Sequence, residues 1–220
     1  MESNHIVTPG ELVESNAANI LPGKGVYKKD GKIFAKVLGI PRKSGRVVSI
    51  TPLRGKYLPK KGDLVIGRVV DITLNGWRVD INSPYSSLLP LKEYPAMVRR
   101  GDDLSKYLSI DDYIASIVAN VSSQNVVDLT MKDAKCKKLD QGLVFRINPL
   151  KVSRVIGTGG SMISLIKQKT NCKIILGANG VVWIQGLPEQ QLKAMQAVKL
   201  VERLAHVQGL TDKIKSFLES

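Results

Sequence analysis

The sequence predicts a mainly β chain that ends in an α+β domain, and three observations predict it. Short apolar runs rich in Val and Ile, broken by Asp30-Gly31 and Asn75-Gly76, fill the first 130 residues. Dipeptides of this kind close two-residue hairpin turns because both positions accept positive φ. Helical periodicity begins only after residue 150, with Met162, Ile163, Leu165 and Ile166 and then a longer stripe from Leu192. Ahead of the first long helix stands Val155-Ile156-Gly157-Thr158-Gly159-Gly160, a glycine pair spaced by two residues.

Three segments follow from these signals. Residues 1–58 form a small all-β domain, with Val26-Tyr27 leading into Lys28-Lys29-Asp30-Gly31 and apolar runs at 33–38 and 47–50. Residues 59–134 hold strands at 64–73 and 77–82 joined by the Asn75-Gly76 turn, then 88–91, 113–121 and 126–130. A polar, partly helical connection spans 94–108. Five strands with a long connection after the third fit an OB-type barrel, a fold common among oligonucleotide binders. A barrel without a ligand fits the same layout. Residues 132–140 are polar and basic and read as a linker.

The last segment, 135–220, predicts a strand at 142–147, a helical turn at 151–156, the glycine loop, and a helix at 161–169. Strands at 172–176 and 181–185 follow, joined by Gly177-Ala178-Asn179-Gly180. A long helix starts at Pro188, a residue suited to a first helical position, with Leu192, Met195, Val198, Val201, Leu204 and Ala205 as its core stripe. A short helix capped by Thr211 carries Ile214, Phe217 and Leu218. The order strand–helix–loop–helix–strand–strand–helix is that of a type I KH domain.

Charge bounds the partner. Lys and Arg number 33 against 19 acidic residues, a formal net charge of +14. The three segments carry +6, −1 and +9. Positive surface of this size favours a polyanion, because binding phosphates releases their counterions. Cys136 and Cys172 show no CxxC spacing, which argues against a zinc site and fits a reducing, intracellular setting. No signal peptide or membrane-spanning run is legible, so a soluble, cytoplasmic protein without membrane partners is expected.

The glycine loop carries the chemistry. Glycine leaves its amides bare, and a helix starting at Ser161 directs further amides at the same space, where an anion is favoured. A KH domain clamps the backbone of single-stranded RNA with such a GXXG loop. The candidate RNA-binding residues are Gly157, Thr158, Gly159, Gly160 and Ser161, with Lys151, Arg154 and Lys167 near enough in sequence to supply phosphate-pairing charge. A loop kept for packing is the bland alternative, since its two central residues are uncharged.

No catalytic site is legible, and no metal or cofactor is expected. Asp102-Asp103 and Asp111-Asp112 invite a metal-nuclease reading, but neither pair has a patterned third ligand, and solvated loop acids explain them. His5 lies near the N-terminus and His206 near a helix end, where a cation complements the dipole. No serine or cysteine has a partner histidine in a recognisable pattern.

The domain order, with Val7-Thr8-Pro9-Gly10-Glu11, Gly62-Asp63-Leu64-Val65-Ile66-Gly67, Gly76-Trp77-Arg78-Val79-Asp80-Ile81-Asn82-Ser83-Pro84-Tyr85, Arg154-Val155-Ile156-Gly157 and Gly209-Leu210-Thr211-Asp212, resembles the archaeal exosome RNA-binding cap subunit over nearly the whole chain. The resemblance implies a non-catalytic subunit of a 3′–5′ RNA degradation complex. In that family three caps sit on a hexameric ring of RNase PH-like subunits. The N-terminal domain docks on the ring, S1 domains surround the entry pore, and single-stranded RNA passes to phosphorolytic sites that belong to the ring.

The S1 segment departs from the general S1 pattern. Two base-stacking aromatic positions hold Asn75 and Arg78, and the usual histidine position holds Pro90. Trp77 shares a strand face with Val79 and Ile81 and is expected in the barrel core, while Arg78 shares the other face with Asp80. Arg78 is therefore a candidate for stacking a base or pairing a phosphate. Arg68, Lys92, Arg99 and Arg100 are further candidates, weighed against ordinary solvated charge. The runner-up reading is a transcription elongation or termination factor with S1 and KH modules, though such factors usually carry two KH domains. A phosphorolytic exonuclease with the same appendages carries them in the opposite order and needs a catalytic core for which this chain has no room.

Overall fold

The structure, a computed structural model, describes residues 5–53, 55–99, 101–205 and 210–219. The chain divides into two compact units at Gly55. The first contains six short strands: β1 (Leu12–Glu14), β2 (Leu21–Pro22), β3 (Val26–Lys29), β4 (Lys32–Ala35), β5 (Gly39–Ser44) and β6 (Val47–Pro52). Two three-stranded sheets result, in the orders β1-β4-β3 and β2-β6-β5. Asp30 (φ 49°) and Gly31 (φ 70°) close the β3–β4 hairpin with the two positive φ values that a tight turn of this kind requires. Val7, Ala17, Val26, Ile33, Ala35, Val48 and Ile50 form the core of the unit. The all-β reading of this region holds.

The second unit begins with a barrel. Its strands are β7 (Leu64–Thr73), β8 (Gly76–Asp80), β9 (Ser87–Pro90), β10 (Tyr113–Val121), β11 (Val127–Thr130) and β12 (Lys137–Leu139). The order β11-β9-β8-β7-β10 closes on itself through the β10–β11 pairing, and β9 and β11 run parallel. Five strands thus make the closed barrel of an OB-type fold. Val65, Val69, Trp77, Val79, Ile81, Leu89, Ile114, Val118 and Leu129 fill it. The β7–β8 turn sits one residue earlier than expected: Leu74 and Asn75 make it, and Gly76 opens β8 at φ 146°. A side chain at Gly76 would lie 2.1 Å from the Leu89 carbonyl, so the glycine serves the close approach of β9.

The expected linker is the largest correction. Within 132–140, β12 pairs with β10 through Tyr113↔Leu139, Ile114↔Lys138 and Ala115↔Lys137. It occupies the edge of β10 that β11 leaves open, since β11 pairs only from Ile117 onward. Two lysines and one leucine give no strand period, which is why the sequence reads as a loop.

The remaining elements are β13 (Leu143–Arg146), α1 (Val152–Ile156), α2 (Ser161–Thr170), β14 (Lys173–Leu176), β15 (Val181–Gln185), α3 (Pro188–Arg203) and α4 (Leu210–Glu219). The antiparallel sheet β13-β15-β14 and its helices have the β-α-α-β-β-α order of a type I KH domain. The α3 stripe is rotated from the expected one: Ala194, Ala197, Val198 and Val201 are fully buried, whereas Leu192 is half exposed. Ala194 and Ala197 are small residues of the KH core, and a hydropathy count passes over them. Thr211 lies inside α4 rather than capping it, and Leu210, Ile214 and Leu218 are its buried face.

Barrel and KH sheet share a core. Along β15, Val182 and Ile184 point into the KH helices, while Val181 and Trp183 pack with Ile66, Ala115 and Leu139. The junction is closed by the β14–β15 turn. Fully buried Asn179 accepts from the Ile66 amide at 3.3 Å and donates to the Ile66 and Ile81 carbonyls at 2.7 and 2.9 Å. Beside it the Ala178 amide donates to the Leu64 carbonyl at 2.8 Å.

Asn179→Ala leaves three buried backbone groups unpaired and should lower unfolding free energy by about 3 kcal/mol in urea titration. Asn179→Asp should cost more, because it turns a carboxylate toward two carbonyls. Ser116 inside the barrel is buried with no hydrogen-bond partner for its hydroxyl among the described residues. Ser116→Ala should therefore raise the unfolding midpoint, by about 1 kcal/mol in free energy.

Candidate nucleic-acid interface

The glycine loop is built from a bend that only glycine makes easily. α1 ends on Gly157 at φ 76°, ψ 172°, a region closed to residues with a Cβ. A Cβ there would also stand 2.8 Å from both the Cβ and the amide of Met162, the first buried residue of α2. Gly159 (φ 59°, ψ 20°) and Gly160 (φ 81°, ψ 12°) are left-handed, yet nothing lies within 4 Å of where their side chains would be. The base of the loop is packed and its crest is open. Thr158 and Gly159 are exposed at that crest.

The amides do not all face outward as the sequence suggests. Gly157 donates to the Ser153 carbonyl at 3.0 Å, Gly160 to the Gly157 carbonyl at 3.2 Å, and Ser161 to the Thr158 carbonyl. The loop tightens into a 3-10 turn before α2, and that turn consumes these donors. Space above the crest, more than a row of amides, is what the loop offers a ligand.

Three cations lie on the elements around it. Arg154 on α1 and Lys167 on α2 are exposed and lie on the two helices that flank the loop. Lys151 is engaged elsewhere: its ammonium donates to the Glu202 carbonyl at 2.9 Å, near the C-terminal end of α3, where a cation complements the helix dipole.

On the barrel, Trp77 is fully buried, and its indole N–H donates to the Leu108 carbonyl at 3.1 Å. Arg78 is exposed, as strand alternation predicts, but it faces Asp71 at 3.6 Å. Arg68 pairs with Asp111 at 3.1 Å. Lys92 and Arg99 are exposed on the connection after β9, and Arg100 lies outside the described residues. The β7–β8 face therefore has balanced charge.

The acid pairs have structural assignments. Asp102 accepts from the Arg99 amide at 2.9 Å, and Asp103 caps the 3-10 turn Leu104–Lys106 by accepting from Ser105. Asp112 accepts from the Ser109 amide at 2.7 Å and pairs with Lys138 at 2.6 Å, a bond that holds the Lys138 ammonium pKa above its ordinary value. His5 lies 3.7 Å from Glu11, and His206 is outside the described residues. Among the described residues no three His, Cys, Asp or Glu side chains converge. Both cysteines are free thiols, and no described helix is long and apolar enough to cross a membrane.

Two features were missed from sequence. One is the Asn179 junction, whose signal was a continuous apolar run at β15, the mark of a strand buried on both faces. The other is an aromatic cluster in which Tyr94 packs on Trp77 (centroids 5.2 Å apart) and on Tyr107 (5.6 Å). Burial pushes the Tyr94 hydroxyl pKa up.

Comparison with known proteins covers all three regions. A model of the exosome complex exonuclease RRP4 N-terminal region matches residues 6–42, one of the RRP4 S1 domain residues 56–123, and one of the KH domain residues 143–200. The exosome complex component Rrp4 of Picrophilus torridus is 41% identical over 219 residues, covering 100% of this chain and 94% of the relative. Its counterpart from Methanothermobacter thermautotrophicus is 38% identical over 214 residues, covering 97% and 68%. A crystal structure described as an exosome complex RNA-binding protein superposes with a TM-score of 0.68 at 32% identity, covering 75% of this chain and 96% of that one.

The loop geometry generates a contrast. Gly157→Ala combines a forbidden φ/ψ pair with a backbone clash and should destabilise by about 2–3 kcal/mol. Gly159→Ala meets no neighbour and should cost about 1 kcal/mol. Urea unfolding of the two variants checks the order.

Proposed function

The chain belongs to the Rrp4 family of exosome components, and on that premise we propose that it is a non-catalytic subunit that recruits single-stranded RNA. In this reading residues 1–58 dock on a ring of RNase PH-like subunits, three copies to a hexamer. Residues 59–134 flank the entry, and residues 135–220 capture the RNA backbone. Phosphorolysis takes place in the ring, and this chain threads the substrate toward it. The observation that carries the capture step is the open crest at Thr158–Gly160, held on a base that is itself tightly packed. Arg154 and Lys167 carry exposed charge on the two helices that flank it.

The paired arginines sharpen the division of labour. Arg68 and Arg78 each face a carboxylate, so the barrel contributes less attraction for phosphate than its cation count suggests. The KH segment, at +9, supplies the greater pull.

Because Gly157 is needed for the fold, the clean test of capture lies at the crest. Thr158→Asp with Gly159→Asp places two carboxylates where RNA phosphates approach, at an exposed residue and at a glycine with open space around its Cβ position. Affinity for single-stranded RNA should fall at least about tenfold at moderate salt, while unfolding free energy falls by only about 1 kcal/mol, the cost of left-handed backbone at position 159. Unaltered affinity would make the loop a packing element. Co-purification with ring-forming exonuclease subunits tests the placement, and recovery of RNA polymerase in their stead would count against it.

A further inference from the structure

The outer face of the β3–β4 hairpin has no part in the site described above. Its register pairs Val26↔Ala35, Tyr27↔Phe34, Lys28↔Ile33 and Lys29↔Lys32. Alternation sorts these residues into two faces. Val26, Ile33 and Ala35 are buried in the core of the first unit, and Lys28 on that side donates to the Ala17 carbonyl at 2.6 Å. The other face carries Tyr27, Phe34, Lys29 and Lys32 together. The two rings stack with centroids 5.6 Å apart and planes 23° from parallel, and Tyr27 is 42% exposed. Lys29 and Lys32 are exposed, and no carboxylate among the described residues pairs with either.

A lysine pair directly across the strands beside the turn is an unfavourable choice, because like charges opposite one another weaken a hairpin. The turn does not need them, since Asp30 and Gly31 supply its geometry. Their repulsion is relieved when negative charge arrives from outside. The ring pair points to what brings it. A stacked ring pair with Tyr27 exposed lies two residues, about 7 Å, along the strands from Lys29 and Lys32. One nucleotide can then stack its base on the rings while its phosphate meets the lysines. An acidic protein surface would answer the lysines alone, yet lysine is depleted and arginine enriched at protein–protein contacts.

We propose that the β3–β4 hairpin is an additional contact for single-stranded RNA, with Tyr27 as a stacking platform and Lys29 and Lys32 as phosphate partners. The proposal rests on the RNA-recruiting reading above and adds a surface outside the S1 and KH modules.

Lys29→Glu is the diagnostic variant, because it turns the repulsive cross-strand pair into an attractive one. In the full chain it should raise the unfolding midpoint while weakening binding of a 20-nucleotide oligoadenylate about tenfold and reducing the salt slope by about one. Tyr27→Ala should weaken the same RNA about tenfold, through loss of one stacked base, with the slope unchanged. Affinity unchanged in both variants, while Thr158→Asp with Gly159→Asp still lowers it, overturns the hairpin contact and leaves the recruiting reading intact. Retained RNA affinity with lost association to ring subunits would mark a protein-docking face and also overturn it. Failure of the unaltered chain to bind RNA would overturn both readings.

Discussion

The buried amide of Asn179 is the constraint on which the second unit depends. A side-chain amide has one acceptor and two donors, and all three find backbone partners on β7 and at Ile81, just beyond β8. In a site without water each of those partners would otherwise be an unpaired polar group. The KH turn is thus held against the barrel by bonds that have no substitute. Around it, Val181 and Trp183 seal the contact with apolar surface, and Lys137 lies 5.0 Å above the Trp183 ring. Barrel and KH domain pack together as one compact unit.

The glycine loop shows how strain and openness are separated within four residues. Gly157 carries the conformational cost, turning the chain sharply against Met162. Gly159 and Gly160 carry left-handed backbone with free space around them. A ligand can approach the crest without disturbing the helix that supports it. The barrel follows a different rule: Arg68 and Arg78 each face an acid, which lowers the field of that face.

Much of this was legible in the sequence where a physical period was strong. The strand at 64–73 matches β7, 113–121 matches β10 and 181–185 matches β15, because each is long, β-branched and bounded by turn residues. The burial of Trp77 followed from alternation alone. The misses share a cause. Lys137-Lys138-Leu139 forms a strand only because β10 has a free edge to receive it, and Ala194 and Ala197 line the core only because the other KH elements pack over that face of α3. Lys151 reads as a phosphate ligand until the end of α3 is placed beside it. These are tertiary facts, and no local window contains them.

The strand at β12 has a consequence for any ligand long enough to touch both modules. A flexible tether would let barrel and KH loop wander, so a second contact would form at the millimolar effective concentrations typical of short linkers. Here the tether is itself hydrogen-bonded into the barrel, and the entropy of bringing the two surfaces into alignment was spent when the chain folded. The separation between them acts as a fixed gauge. A strand whose bound path matches that gauge gains its second contact at little further entropic cost, and one that does not match gains nothing.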